Sequence, residues 1–312
     1  MATSTEAAFQ RVMLAVDGSD ATLRAAEYAN ALFSGRARIA LVAVAQNPRT
    51  LFPLGATTHG FLAAAREELL NDARAALKKA QALFATDAPE AELIDLSKRD
   101  GDTVHALLDT AAHWQADLFV MGARHHRGLL RWVEGTVSEP MARRAGSSLL
   151  LVPDGTRVRT DRAPRRILFA LDGSARSLGA LRMGLQLASA GTQLRAIYVV
   201  DRAVHLFDAA PVKLLEGAFL EEGRVTLDLA AQIFADEGHT AETALVETLR
   251  SGDDVPHAII RDAQQWDADL LVVGTHGRRG IARWFLGSVA ARTLRLADTP
   301  VLLARVPEPM PG

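Results

Sequence analysis

Residues 268–289, ADLLVVGTHGRRGIARWFLGSV, join an apolar run to Gly274, a second glycine at Gly277, nine further residues and then Gly287-Ser288. Glycines at the end of a strand have no Cβ, so the backbone can take positive φ and an anion can approach the chain closely. A helix starting at Gly287-Ser288 would turn its unpaired N–H groups and its positive dipole end toward the same anion. This is chemistry for holding phosphate. The spacing is neither GxxxxGK[ST] nor GxGxxG after a first strand, which excludes the usual P-loop and dinucleotide-fold readings. Arg278, Arg279 and Arg283 add positive charge, either to draw phosphate or as a solvated basic loop.

A second candidate group is Asp172, which follows the apolar run Ile167–Leu171 and precedes Gly-Ser; Asp17 stands in the same setting earlier in the chain. A carboxylate there could accept hydrogen bonds from ribose hydroxyls. Alternatively, Asp-Gly-Ser is a turn with a helix cap. The pair His125-His126 does not read as a metal site, because adjacent side chains diverge, no ligand spacing is present and the chain has no cysteine. No P-loop lysine, nucleophile elbow or base near the phosphates is evident, so no catalytic residue is assigned.

The elements that must position these residues are written twice. Val12–Ser19 (VMLAVDGS) recurs as Ile167–Ser174 (ILFALDGS), Ala116–Gly122 as Ala268–Gly274, and Gly135-Thr136 as Gly287-Ser288. Trp132 and Trp284 recur at the same offset, which reads as packing or an interface. The polar, proline-bounded stretch Pro153–Pro164 breaks the two copies near Arg159, giving expected domains over 1–158 and 159–312. In the second copy, strands are expected at Ile167–Leu171, Gln193–Val200, Thr240–Glu247, Ala268–Val273 and Pro300–Val306. Helices are expected from Ser174 through Ala188 up to a stop at Gly191, at Val212–Glu237, at Asp253–Trp266 and from Gly287. The first copy repeats the order, with strands at Arg11–Val16, Arg38–Val44, Ala91–Leu96, Leu118–Met121 and Ser148–Val152. Strands alternating with helices predict an α/β fold class: two tandem doubly wound domains, each a five-stranded parallel sheet with helices on both faces. A ligand crevice is then expected at the carboxyl ends of the strands, where the strand order switches.

Composition bounds the function. Of the 312 residues 49% are apolar and 23% charged, ordinary for a globular chain. Lys+Arg at 35 against Asp+Glu at 37 leaves no basic excess to draw nucleic acid. The absence of cysteine excludes disulfides and thiolate chemistry and fits a reducing compartment. The first residues lack a secretory pattern and no run approaches a membrane span, so a cytoplasmic protein without a nucleic-acid or membrane partner is expected.

GxxG, nine residues, then G[ST], between two buried strands near the end of a domain of roughly 150 residues, resembles the nucleotide-binding motif of the universal stress protein family. The resemblance covers both copies and implies a tandem member holding ATP, with Mg²⁺ carried by the nucleotide. It implies Asp172 against the nucleoside, Ala170 beside the base and Val199 contacting adenine through its backbone. Gly274, His276 and Gly277 would lie along ribose and phosphates, closed by Gly287, Ser288 and Val289. In the first copy the corresponding set is Asp17, Val44, Gly122, Gly135 and Thr136. There His125 stands where Gly277 stands, filling phosphate space with an imidazole, so the second domain is expected to hold the nucleotide and the first to be degenerate. The function implied is a regulatory adenine-nucleotide-binding module of the stress response. The alternatives are a slow ATP-hydrolysing enzyme or a nucleotide-independent scaffold, for which the differing loops Asn47–Gly60 and Asp201–Pro211 could receive another ligand or protein. Family domains pair through their last strand, so an intrachain pseudo-dimer, and a homodimer of chains, are expected.

Overall fold

A computed structural model describes residues 9–51, 59–84, 88–123, 137–201, 211–249, 252–275 and 286–306, with backbone alone at 59 and 211–216. The chain divides into two units, one of Met1–Gly155 with Thr160–Arg162, the other of Thr156–Arg159 with Ala163–Gly312.

The first unit runs β1 (Arg11–Ala15), α1 (Asp20–Phe33), β2 (Arg38–Ala45), α2 (Pro48–Leu51), α3 (His59–Gln81), β3 (Glu90–Asp95), α4 (Thr103–Trp114), β4 (Leu118–Ala123), α5 (Ser138–Arg144) and β5 (Ser148–Pro153). The second runs β6 (Arg166–Leu171), α6 (Ala175–Leu185), β7 (Gln193–Val200), α7 (Pro211–Asp236), β8 (Ala241–Glu247), α8 (Val255–Gln265), β9 (Leu270–Gly274), α9 (Ser288–Leu296) and β10 (Val301–Ala304). Within the first unit the strand order is β3-β2-β1-β4-β5, and within the second β8-β7-β6-β9-β10. All of these neighbours pair in parallel. This is the five-stranded doubly wound sheet that the alternation of apolar runs and amphipathic segments predicts.

Central strands are apolar without alternation because both faces are covered. Every residue of β5 is buried, as are the first four of β4 and of β9. On one face of the second sheet Phe169 meets Phe234 of α7 edge-on at 5.6 Å, and α6 lies so close that a Cβ on Gly184 would come within 2.8 Å of Phe169 and Val272. On the other face Arg195 of β7 reaches Asp262 of α8. The end strands β3 and β8 are more exposed and carry Glu90, Glu92 and Glu242, charges that discourage edge pairing with other chains.

A carboxylate clasp is repeated in both units. Asp117, just before β4, accepts at Oδ2 from the amides of Gln10 (2.7 Å) and Arg11 (3.0 Å) at the start of β1. Asp269, just before β9, accepts from Arg165 (2.7 Å) and Arg166 (3.1 Å) at the start of β6. Each clasp fixes the register of the two strands that flank the switch in strand order.

Most expected boundaries shift by one or two residues, as β9 does from Ala268–Val273 to Leu270–Gly274 and α8 from Asp253–Trp266 to Val255–Gln265, and the larger differences have physical causes. The first helix of the second unit ends at Leu185 rather than Ala188, because Gln186, Leu187 and Ala188 donate to carbonyls three residues back and tighten the chain out of α geometry. Gly191, with φ +88°, turns the chain into β7. The last strand is Val301–Ala304, shorter than Pro300–Val306, since Pro300 has no amide and contributes only its carbonyl, to Leu271. The first part of the variable loop Asn47–Gly60 forms α2, and α3 has begun by His59.

Candidate functional site

The switch in strand order falls between β6 and β9, and between β1 and β4 in the first unit, and the carboxyl ends of these strands are where an open α/β sheet has its ligand crevice. Asp172 leaves β6 and Gly274 closes β9, two strands that pair directly. Asp172 accepts at Oδ1 from the Ser174 amide (3.0 Å) and hydroxyl (2.6 Å), while Ser174 Oγ accepts from the Ser177 amide (3.1 Å) and caps α6. In the first unit Asp17 Oδ1 accepts from the Ser19 amide (2.9 Å), the Ser19 hydroxyl (2.6 Å) and Thr22 Oγ1 (2.9 Å). The turn and cap are therefore built in both copies. That turn also holds the carboxyl group at the strand end, so one geometry serves both readings of Asp-Gly-Ser. The intervening Gly18 and Gly173 have φ of +77° and +84°, a region that other residues enter only under strain.

Ala170 and Val199 are half-buried near the carboxyl ends of β6 and β7. The register Ala170↔Ile197 puts Ala170 on the same face as Ile197, Val199 and Arg195, the face covered by α8. Val44 is half-buried at the same place on β2. These strand ends offer small apolar surface where the flanking residues are fully covered.

Gly122 and Gly274 are strand residues and are not among the described glycines with positive φ; for Gly274 this departs from the sequence expectation. Space explains the glycine at 122. A Cβ there would overlap the carbonyl group of Ala21 and lie 2.6 Å from the Thr22 amide, so its absence lets the first turn of α1 abut β4.

The segment after β9 returns to it. The Gly287 amide donates to the carbonyl of Thr275 at 2.9 Å, and Gly287 is the N-cap of α9. Gly274 and Gly287, distant in the motif, thus meet at one end of the crevice. The N-cap residue of α9, a glycine, offers no side-chain cap, and no described side chain supplies one. Ser288 is exposed, Gly287 and Val289 are half-buried, and the first amides of this helix form a concentrated positive end. His276, Gly277, Gly135, Thr136, His125, His126, Trp132, Trp284 and the arginines at 124, 127, 131, 278, 279 and 283 lie outside the described residues.

The two units diverge where the last helix starts. In the second it begins at Ser288, immediately after Gly287; in the first it begins at Ser138 with Val137 as N-cap, beyond Gly135-Thr136. Pro140 stands five residues after Gly135, as Arg292 stands five after Gly287. Proline has no amide to donate to residue 136, so it is accommodated only within the first turn and the helix starts late.

Sequence reasoning missed the groups that anchor α8 and α9. Asp254 caps α8, accepting at Oδ1 from the His257 amide (3.1 Å) and lying 2.7 Å from His257 Nδ1, and it forms an ion pair with Arg292 of α9. Beside it, Asp253 accepts from the Leu249 amide (2.8 Å) and from Arg261 (2.5 Å). Burial alone would raise both carboxyls, but for Asp254 the His257 bonds and Arg292, and for Asp253 the Leu249 amide and Arg261, hold them below the usual carboxylate range. The available signal was the recurrence of Asp-x-x-His at Asp102–His105 and Asp254–His257.

The sequence profile of the universal stress protein family matches this chain twice, over residues 8–153 and 164–305. A universal stress protein of Methanocaldococcus jannaschii is 32% identical over 149 residues, covering 46% of this chain and 84% of that protein. One of Mycobacterium tuberculosis strain H37Rv is 30% identical over 204 residues, covering 61% of this chain and 62% of that protein, under two thirds of its length. The crystal structure of a universal stress protein from Archaeoglobus fulgidus superposes with a TM-score of 0.65 at 18% identity, covering 95% of this chain and 96% of that one, a likeness of fold. No described helix is long and apolar enough to cross a membrane. With both units carrying the same sheet and the same profile, the chain belongs to the universal stress protein family and holds two copies of its domain.

Proposed function

We propose that the chain is a regulatory module that binds an adenine nucleotide, ATP together with Mg²⁺, in the crevice of its second domain, within a boundary near Arg159 that leaves domains of 1–158 and 159–312. The observation that carries this reading is the return of Gly287 to the end of β9, which aims an uncapped helix start at the same crevice as Asp172. The residues present fit the ligand. Ala170 and Val199 offer a small apolar seat for the base, Asp172 a carboxyl for the ribose, and Gly274, Gly287, Ser288 and Val289 backbone amides for phosphate, with His276 and Gly277 completing the motif by resemblance. When bound, the nucleotide supplies negative charge that the first turn of α9 neutralises. The first domain is read as degenerate, because His125 replaces the second glycine and α5 starts late.

Calorimetric titration of the nucleotide-stripped chain with ATP and Mg²⁺, beside Gly277→His, tests this. About one site per chain that Gly277→His abolishes is the expected result. Heat from neither protein would transfer the reading to a scaffold that needs no nucleotide. Light scattering that reports a monomer at working concentration would remove the expected homodimer.

A further inference from the structure

The described part of the second unit contains a chain of contacts with no counterpart in the first. Asp262, in the body of α8, takes a bidentate grip from Arg195 of β7, with Nε to Oδ2 and Nη2 to Oδ1 both 3.0 Å. The aligned residues of the first unit, Thr110 and Ala40, are buried and cannot form an ion pair. At its other end α8 is capped by Asp254, and Asp254 holds Arg292 one turn into α9. The aligned acid of the first unit, Asp102, also caps its helix, accepting from the His105 amide at 2.8 Å. Pro140, however, stands where Arg292 would be. The sheet thus fixes α8, α8 fixes the second turn of α9, and Gly287 is tied to Thr275 of the β9 end.

We infer that Arg292 is a positioning residue for the phosphate end of the second crevice, acting through Asp254 to hold the first turn of α9; this rests on the reading that the second crevice binds nucleotide. Arg292 lies within the first turn and a half of its helix, where a positive charge is disfavoured by the dipole. Its placement is offset by Asp254, whose carboxyl is itself fixed by the α8 cap. Amides that must meet a polyanion gain from being held before the anion arrives, because ordering them on binding would subtract from affinity. Proline at 140 removes the arginine and delays the helix start in a single substitution. The first domain is thereby deprived of the phosphate end independently of His125.

The test uses the full chain and the variants Arg292→Met, Asp254→Asn, the double variant and Arg292→Lys. Asparagine retains the helix cap while removing the charge. Hydrogen exchange over residues 286–296 without nucleotide reports the helix start directly. Calorimetry with ATP and Mg²⁺, and separately with adenosine, reports the phosphate end against the nucleoside end. Arg292→Met is expected to speed exchange at Ala291, whose amide donates to Gly287, and at residues 292 and 293, whose bonds close the first turn, and to weaken ATP about two- to five-fold, the scale of a half-exposed ion pair, with adenosine unchanged. Asp254→Asn should match it, the double variant should be no worse than either single one, and Arg292→Lys should recover most of the loss. Unchanged exchange together with an unchanged ATP-to-adenosine ratio in Arg292→Met overturns the inference, as do additive losses in the double variant. If the unmodified chain binds neither ligand, the proposed function fails, and the exchange measurement alone decides whether the clasp holds the helix start.

Discussion

Arg195 and Asp262 form a two-point ion pair between β7 and α8, with the Asp262 side chain only 10% exposed and that of Arg195 20%. Burial lowers the Arg195 guanidinium, but Asp262 and Glu242 outweigh it and raise it above its ordinary value. Neither charge is left without its partner, so the pair's worth is seen when one member is removed. Asp262→Ala is expected to cost about 2 kcal/mol, because it removes both bonds of the two-point contact and leaves the guanidinium with the exposed Glu242 alone. Arg195→Met with Asp262→Leu is expected to recover most of that loss, since apolar residues of similar volume leave no buried charge unpaired and Glu242, which also loses its partner, is exposed to water. Urea unfolding followed on the second unit's own transition, by hydrogen exchange, provides the measurement. Equal stability of Asp262→Ala and the parent chain would show that α8 is held by its apolar face alone.

The Asp117 clasp leads to a pH prediction of the opposite sign to most carboxylates. Burial raises its carboxyl above the usual range, and the amides of Gln10 and Arg11 only partly counter this. A group raised on folding contributes stability that is complete below its unfolded value, near 4, and is lost as pH rises through the folded value. Asp117→Asn keeps an oxygen for the two amides and removes the ionisation. Relative to the parent, it should therefore gain stability as pH rises from about 4 to 7. A parent-minus-variant difference that is flat across this window would mean the clasp is indifferent to charge.

Asp254 should behave in the ordinary direction. With its carboxyl held low, its contribution is present above the unfolded value and disappears as pH falls through the depressed folded value. At neutral pH Asp254→Ala removes an N-cap and is expected to cost about 1 kcal/mol. The same comparison at a pH below the folded value should show a smaller difference. Thermal unfolding of both proteins across acid pH checks this, and a penalty that grows on acidification would contradict the assignment.

Much of this architecture was legible in the chain. Ile167–Leu171 and Leu270–Val273 are uninterrupted apolar runs because their strands are covered on both faces, and a glycine or Asp-Gly-Ser marks where each ends. The residues at those ends, Asp172 and Gly274, could be placed at the crevice from the pattern alone. Asp262 could not, since its partner Arg195 is 67 positions away and nothing local distinguishes a buried carboxylate from a solvated one. The role of Gly122 was likewise hidden, because the backbone it accommodates belongs to α1. The late start of α5 was present in the sequence as Pro140. It becomes readable only when the two copies are laid side by side and the proline falls on Arg292.

Restoring nucleotide binding to the first domain is expected to take two changes. On the proposed reading His125→Gly would free the phosphate space of an imidazole, but it leaves Pro140, which cannot donate the amide that a helix begun at Thr136 requires. His125→Gly alone is therefore expected to leave the chain at about one nucleotide, the number proposed for the second domain. Adding Pro140→Arg supplies both the missing amide and a guanidinium opposite Asp102, the cap of α4. His125→Gly with Pro140→Arg is expected to take up additional ATP, weaker than the first by about tenfold or more, since Thr110 and Ala40 still give α4 no ionic anchor on the sheet. Calorimetric stoichiometry in the Gly277→His background, where the second crevice is expected to be silent, isolates this site. A second site appearing with His125→Gly alone would show that the imidazole was the whole obstacle and that the helix start adjusts freely around Pro140.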